Sequence, residues 1–128
     1  EHDGVGHVVA RVGDAVGPVA FSSLTATRGW LASDAARAFM RAYRRARAWV
    51  IATPAAEIAA AEADFFDDID ADVLADTIAA YQGLGCWTPE VEISRPAYER
   101  ALDVFEHAGL VTARHAYEDV VAPPPDDG

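Results

Sequence analysis

From Ser33 onward the apolar residues of this chain recur at steps of three and four, and that period limits what the chain can become more than any other feature. Ala36, Phe39, Met40, Tyr43, Ala46 and Val50 fall on one helical face, with Arg37, Arg41, Arg44 and Arg45 largely on another. Ser33 can accept hydrogen bonds from the free amides of the first turn. Pro54 cannot continue the ladder and pushes Thr53 out of helical geometry, so this helix must end by about Ala52. Proline loses nothing at a first helical position, so Thr53-Pro54 starts a second helix that runs to about Ala63. Asp70 opens a third, with Leu74, Ile78 and Tyr81 as its buried stripe and Gly83 as its stop. Ser94 caps a fourth, which carries Pro96 in its first turn and Tyr98, Ala101, Leu102 and Phe105 on its apolar face. Gly109 followed by Leu110 matches a left-handed helix stop, and a short turn or helix follows between His115 and Val120.

The first 31 residues read differently. They hold five of the nine glycines, and their apolar runs are short and rich in Val and Thr. The run from His7 to Val12 fits a strand, Gly13 to Gly17 supplies turn residues, and Pro18 to Leu24 fits a second extended segment. The expected fold is α+β and mostly α-helical, a short N-terminal strand pair followed by four main helices. It forms a single domain over residues 1–122, with a strand-rich entry at 1–31 and a helical part at 33–122; residues 123–128 form a flexible polar tail.

With 52% hydrophobic residues the chain can build a core despite a formal net charge of −11. A duplex-binding surface needs surplus cations, so nucleic acid is excluded as a partner. No stretch approaches the roughly 18 apolar residues of a membrane span, which excludes stable membrane insertion, and no basic-then-apolar leader opens the sequence. The single Cys86 can form neither an internal disulfide nor a Cys-rich metal site.

The residues that carry chemistry elsewhere read as structural here. Asp67-Asp68-Ile69-Asp70-Ala71-Asp72 begins like a calcium loop, but counting from Asp68 the required glycine and glutamate positions are Val73 and Ala79. These acids instead favour the positive end of the third helix. His2, His7, His107 and His115 lack the i, i+4 spacing that presents two ligands together, and His107 suits the negative end of its helix. Neither Ser22 nor Ser23 lies in a Gly-x-Ser-x-Gly context. Trp30, Trp49 and Trp87 read as packing residues, Trp87 closing the loop between the third and fourth helices. Five arginines between Arg37 and Arg47 face eight carboxylates between Glu57 and Asp76, an internal counter-charge. The expectation is a chain without a catalytic centre, a metal or a cofactor.

Several segments taken together resemble a known family. Arg28-Gly29-Trp30-Leu31-Ala32, a helix with Ala38-Phe39-Met40-Arg41-Ala42-Tyr43, and a helix after Thr53-Pro54 occur in order. Ile78-Ala79-Ala80-Tyr81, a glycine loop with Trp87, Ile93-Ser94, the Tyr98 to Phe105 helix, Ala108-Gly109-Leu110-Val111 and a closing Tyr117 to Val121 follow. This order resembles the C-terminal portion of the two-lobed periplasmic solute-binding proteins of ABC importers for nitrate, sulfonate, taurine and thiamine precursors (hydroxymethylpyrimidine). The resemblance covers nearly the whole chain. It implies one flank of a cleft that closes on a solute, an ABC permease as partner of the full-length protein, and a periplasmic or lipid-anchored extracytoplasmic location.

Beside such a cleft, Ser22 and Ser23 would serve as neutral hydroxyl donors, with Thr25 and Arg28 following on the same connection. The alternative, that these hydroxyls satisfy local backbone groups at a turn, stays open. Two functions remain. One is non-catalytic recognition of a small anion or pyrimidine-type solute for an ABC importer. The other is a helical interaction module that self-associates as a homodimer through apolar surface left uncovered.

Overall fold

The computed structural model describes residues 4–126, and every regular element among them is helical. The short helices α1 (Val12–Val16) and α2 (Arg28–Leu31) precede α3 (Asp34–Ala52). Then come α4 (Ala55–Glu62) with a 3-10 turn at Ala63–Phe65, α5 (Ala71–Gly83), α6 (Arg95–His107) and the short α7 (Tyr117–Val120). The four main helices and the mostly helical character follow the sequence.

The strand pair does not form. Strands need a partner ladder for their amides, and none exists among the described residues. Residues 6–11 run without regular structure, with Val9 95% exposed. The expected turn closes into α1 instead, the Asp14 N–H donating to the Arg11 carbonyl at 3.2 Å. The second extended segment joins no ladder and is tied to α6, the Ala20 N–H donating to the Ala97 carbonyl at 3.1 Å.

The chain divides into two compact units. The first comprises residues 4–15 and 44–89. Its core is Ile58 and Ala59 of α4 against Leu74 and Ile78 of α5, with Val50, Ala55, Ala75 and Trp87 packed on it. Trp87 lies nearly parallel to the Tyr81 ring, centroids 5.7 Å apart, which leaves Tyr81 on the rim of the stripe, half exposed rather than buried. Gln82 donates to the carbonyls of Val50 and Thr53 at the end of α3. Arg47 donates to the Thr88 carbonyl from Nε at 2.9 Å and Nη2 at 2.6 Å.

Helix starts and stops in this unit depart from expectation in three places. Asp70 holds the N-cap position of α5, but its side chain makes no capping hydrogen bond, and Pro54 is likewise the cap residue of α4 rather than its first helical one. Gly83 is the last residue of α5, and the left-handed stop is Gly85, at φ +67°. Its N–H donates to the Gln82 carbonyl and that of Cys86 to Tyr81, the paired bonds of a Schellman end.

The second unit comprises residues 16–43 and 90–126. Ser33 caps α3, its hydroxyl accepting from the Ala36 N–H at 3.2 Å, and Ala36 and Met40 on the inner face are buried. Phe39, expected on that face, is partly exposed and stacks between neighbours, edge-on to Trp30 and parallel to Tyr43. Ser94 caps α6 by accepting from the Ala97 N–H at 3.3 Å, and Pro96 lies in the first turn. Gly109, at φ +70°, stops α6: its N–H donates to the Glu106 carbonyl and that of Leu110 to Phe105. Pro124 and Pro125 are half-buried.

Candidate functional site

Of the four residues singled out as solute contacts, Ser22, Ser23 and Thr25 lie on the connection that leads into α2 and Arg28 is the first residue of α2, all in the second unit. Phe21 anchors this connection by packing edge-on against Phe105 of α6, centroids 5.5 Å apart. The apolar anchor and the Ala20–Ala97 backbone bond hold residues 20 and 21, so those after them stand outward.

Ser22 is exposed. Ser23 is exposed too, and its hydroxyl donates to the Ala20 carbonyl at 3.3 Å, a local turn bond. Thr25 joins Ala26, Thr27 and Trp30 around an open hollow of about 350 Å³. The Thr27 hydroxyl accepts from the Trp30 N–H at 3.2 Å and thereby starts α2. Its proton is left available, because a hydroxyl accepts and donates at once.

Arg28 faces a second hollow of about 310 Å³, bordered by Leu31 and by residues 118–123. Its Nη2 donates to the Asp119 carbonyl at 3.1 Å. Ala26 lines both hollows, so Thr25 and Arg28 serve adjoining spaces; Ser22 and Ser23 line neither. Sequence reasoning missed Trp30 and the stretch from Glu118 to Pro123 as neighbours of this segment. Trp30 stood in the motif next to Arg28 and was assigned to packing, and its edge-on contact with Phe39 serves that role as well. The closing stretch lies 91 positions from Arg28, and no local spacing announces such a meeting.

Ion pairs and aromatic contacts fix the wall formed by α7. Arg95 pairs with Glu118 and lies over the Tyr117 ring, 4.6 Å from its centroid. Tyr117 packs edge-on to Tyr98 and donates its hydroxyl proton to the Ile93 carbonyl. Tyr98 in turn donates to the His115 carbonyl at 2.9 Å. The hydrogen bond from Arg95, and then one from the backbone, hold the Glu118 carboxyl below the ordinary glutamate range, while the same pairing raises Arg95.

Charge in this unit is managed at the surface. Arg114 bridges Glu99, Asp103 and Glu106 on α6, with its closest carboxylate oxygen at 2.6 Å on Asp103. The hydrogen bonds it donates to Asp103 and then Glu106 raise its pKa further. No polar or charged side chain is buried among the described residues. Desolvation, the usual means of tuning an acid or base for chemistry, is therefore not what shifts these groups. No group of three or more His, Cys, Asp or Glu gathers where it could hold a metal ion among the described residues; His2 lies outside them. No described helix is long and apolar enough to cross a membrane. What the segment offers is contact chemistry: hydroxyls, an indole and a guanidinium around open hollows.

No family model matches the chain, and no solved structure matches it. A curated protein of Bacillus subtilis (strain 168), named "Putative binding protein YtlA", is 28% identical over 123 residues. The likeness points to binding. It covers 94% of this chain but 37% of YtlA, so the chain spans little more than a third of that relative's length.

Proposed function

We propose that this chain is a solute-binding component of an ABC importer, or a portion of one, and that it recognises its solute without catalysis. The observation that carries this reading is the likeness to YtlA across 94% of the chain. The ordered resemblance noted above, from Arg28 to Val121, gives the finer reading. Thr25 and Arg28 are the contacts best situated for a solute, since each borders an open hollow and the two serines border neither. Small anions are held by neutral donors as well as by cations. Arg28 keeps donors beyond the one engaged by Asp119, because a guanidinium has five. On this reading Ser22 and Ser23 contribute hydroxyls at the rim. An ABC permease is the membrane partner, and the location is periplasmic or lipid-anchored outside the cytoplasm.

Isothermal calorimetry against taurine and other sulfonates, nitrate and aminopyrimidines tests this directly. One-to-one heat with one class, weakened by Thr25→Val and Arg28→Ala, supports the proposal; absence of heat with every solute overturns it. A second reading is favoured by the exposed valines of the N-terminal segment, Val5, Val8, Val9 and Val12. It makes the chain an interaction module that self-associates through apolar surface. Light scattering separates the two: a dimer without solute heat supports this second reading.

A further inference from the structure

In the first unit, the turn joining α4 to α5 carries an exposed apolar surface. The two helices bury Ile58, Ala59, Leu74 and Ile78 between them. The chain then passes through the 3-10 turn, where the Phe66 N–H donates to the Ala63 carbonyl at 3.1 Å and the Ile69 N–H to the Phe66 carbonyl at 3.0 Å. These bonds give the turn a defined shape and turn its apolar side chains outward. Phe65 is 82% exposed, with Phe66 and Ile69 beside it exposed to a lesser degree. Asp64, Asp67 and Asp68, all exposed, alternate with them.

The aspartates beside these apolar residues belong to an acidic stretch of the sequence. Between Arg47 and Arg95 the sequence holds ten carboxylates and no Lys, Arg or His. An apolar tip in that setting selects its occupant by charge. Another copy of the same acidic tip is repelled from it, and an anionic membrane surface is repelled as well. A basic amphipathic helix offers the complement: an apolar stripe for Phe65, Phe66 and Ile69, and flanking cations for the aspartates.

We propose that the tip formed by Phe65, Phe66 and Ile69, interleaved in sequence with Asp64, Asp67 and Asp68, is a docking surface for a basic amphipathic helix of a protein partner. Apolar contact supplies the specificity, and the carboxylates steer the approach and oppose the wrong charge.

The test uses the full chain and labelled synthetic peptides of roughly 18 residues, long enough to hold a helix. One has a leucine face flanked by arginines, one replaces the leucines with serines at the same charge, and one replaces the arginines with glutamates. Fluorescence anisotropy is expected to give binding of the Leu/Arg peptide about tenfold tighter than the Ser/Arg peptide, and none of the Leu/Glu peptide. Phe65→Ser combined with Ile69→Ser should erase that preference while the circular dichroism melt shifts little, because Phe65 faces water and Ile69 is close to half exposed. Asp67→Asn with Asp68→Asn should weaken both arginine peptides and flatten their salt dependence. Equal affinity for the Leu/Arg and Ser/Arg peptides would reduce the surface to charge alone and overturn the proposal. So would a preference that survives Phe65→Ser and Ile69→Ser, one removed by Val9→Ser instead, or binding to neutral phosphatidylcholine vesicles in place of the peptide.

Discussion

Gln82 closes the end of α3 by donating from its amide nitrogen to the Val50 carbonyl at 2.8 Å, and the same nitrogen reaches the Thr53 carbonyl at 2.9 Å. The last carbonyls of a helix have no partner within it, and here a partly buried side chain from α5 supplies one. Gln82→Leu removes both donors and leaves two carbonyls short, an expected loss of about 1–3 kcal/mol in urea denaturation. Gln82→Glu should cost more than Gln82→Leu, because a carboxylate sets acceptors against acceptors. The reverse order would show that the site is filled for its volume rather than its hydrogen bonds.

Ile58 is 1% exposed and sits at the centre of the α4–α5 core. Truncation to alanine there deletes buried carbon and leaves a cavity, for an expected cost of about 2–5 kcal/mol by chemical denaturation. Ile58→Val should cost about 0.5–1.5 kcal/mol. A negligible effect of Ile58→Ala would mean that α4 does not depend on this contact.

Gly109 stops α6 at φ +70°, with open space where a Cβ would go. Its requirement is thus conformational rather than steric crowding by neighbours. Gly109→Ala is expected to cost about 1–2 kcal/mol from the left-handed backbone alone, and Gly109→Asn less, since asparagine tolerates that region. Thermal melts of the two variants side by side read the difference.

Glu118 titrates below an ordinary glutamate because Arg95 hydrogen-bonds its charged form. A lowered folded-state pKa means that the pair's contribution is fully present above the ordinary carboxylate range. It is lost as pH falls through the lower, folded midpoint. Carbon-detected NMR titration should find the Glu118 carboxyl midpoint below that of free glutamate, and Arg95→Gln should return it upward. An unchanged midpoint in Arg95→Gln would assign the shift to the backbone bond instead.

The helical part was legible because its signals are local. Ser33 and Ser94 each place a hydroxyl on the third amide onward, and Gly109 with Leu110 sets up the paired bonds of its stop, all within one turn of sequence. The same grammar misled at Gly83, since Gly85 lay two positions on and only one of them needed φ above zero. The Val-rich entry read as strands because β-branched residues favour extended backbone, yet a strand exists only with a neighbour, and that condition is not written in the strand itself. At the candidate site Thr25 stands before α2 and Arg28 opens it, an order written along the chain. The wall that Arg28 meets, at Asp119, is not written there, because long-range contact follows from packing rather than spacing.

Three of the seven buried hydrophobic side chains among the described residues are alanine: Ala36, Ala59 and Ala101. Where the inward group is a single methyl, neighbouring backbones come close and little slack remains between them. Such positions can lose almost nothing and can gain only by pushing elements apart, at about 1–3 kcal/mol for each enlargement. The freedom of this chain to drift in sequence therefore lies on its outward faces, while its interior is held by the smallness of what fills it.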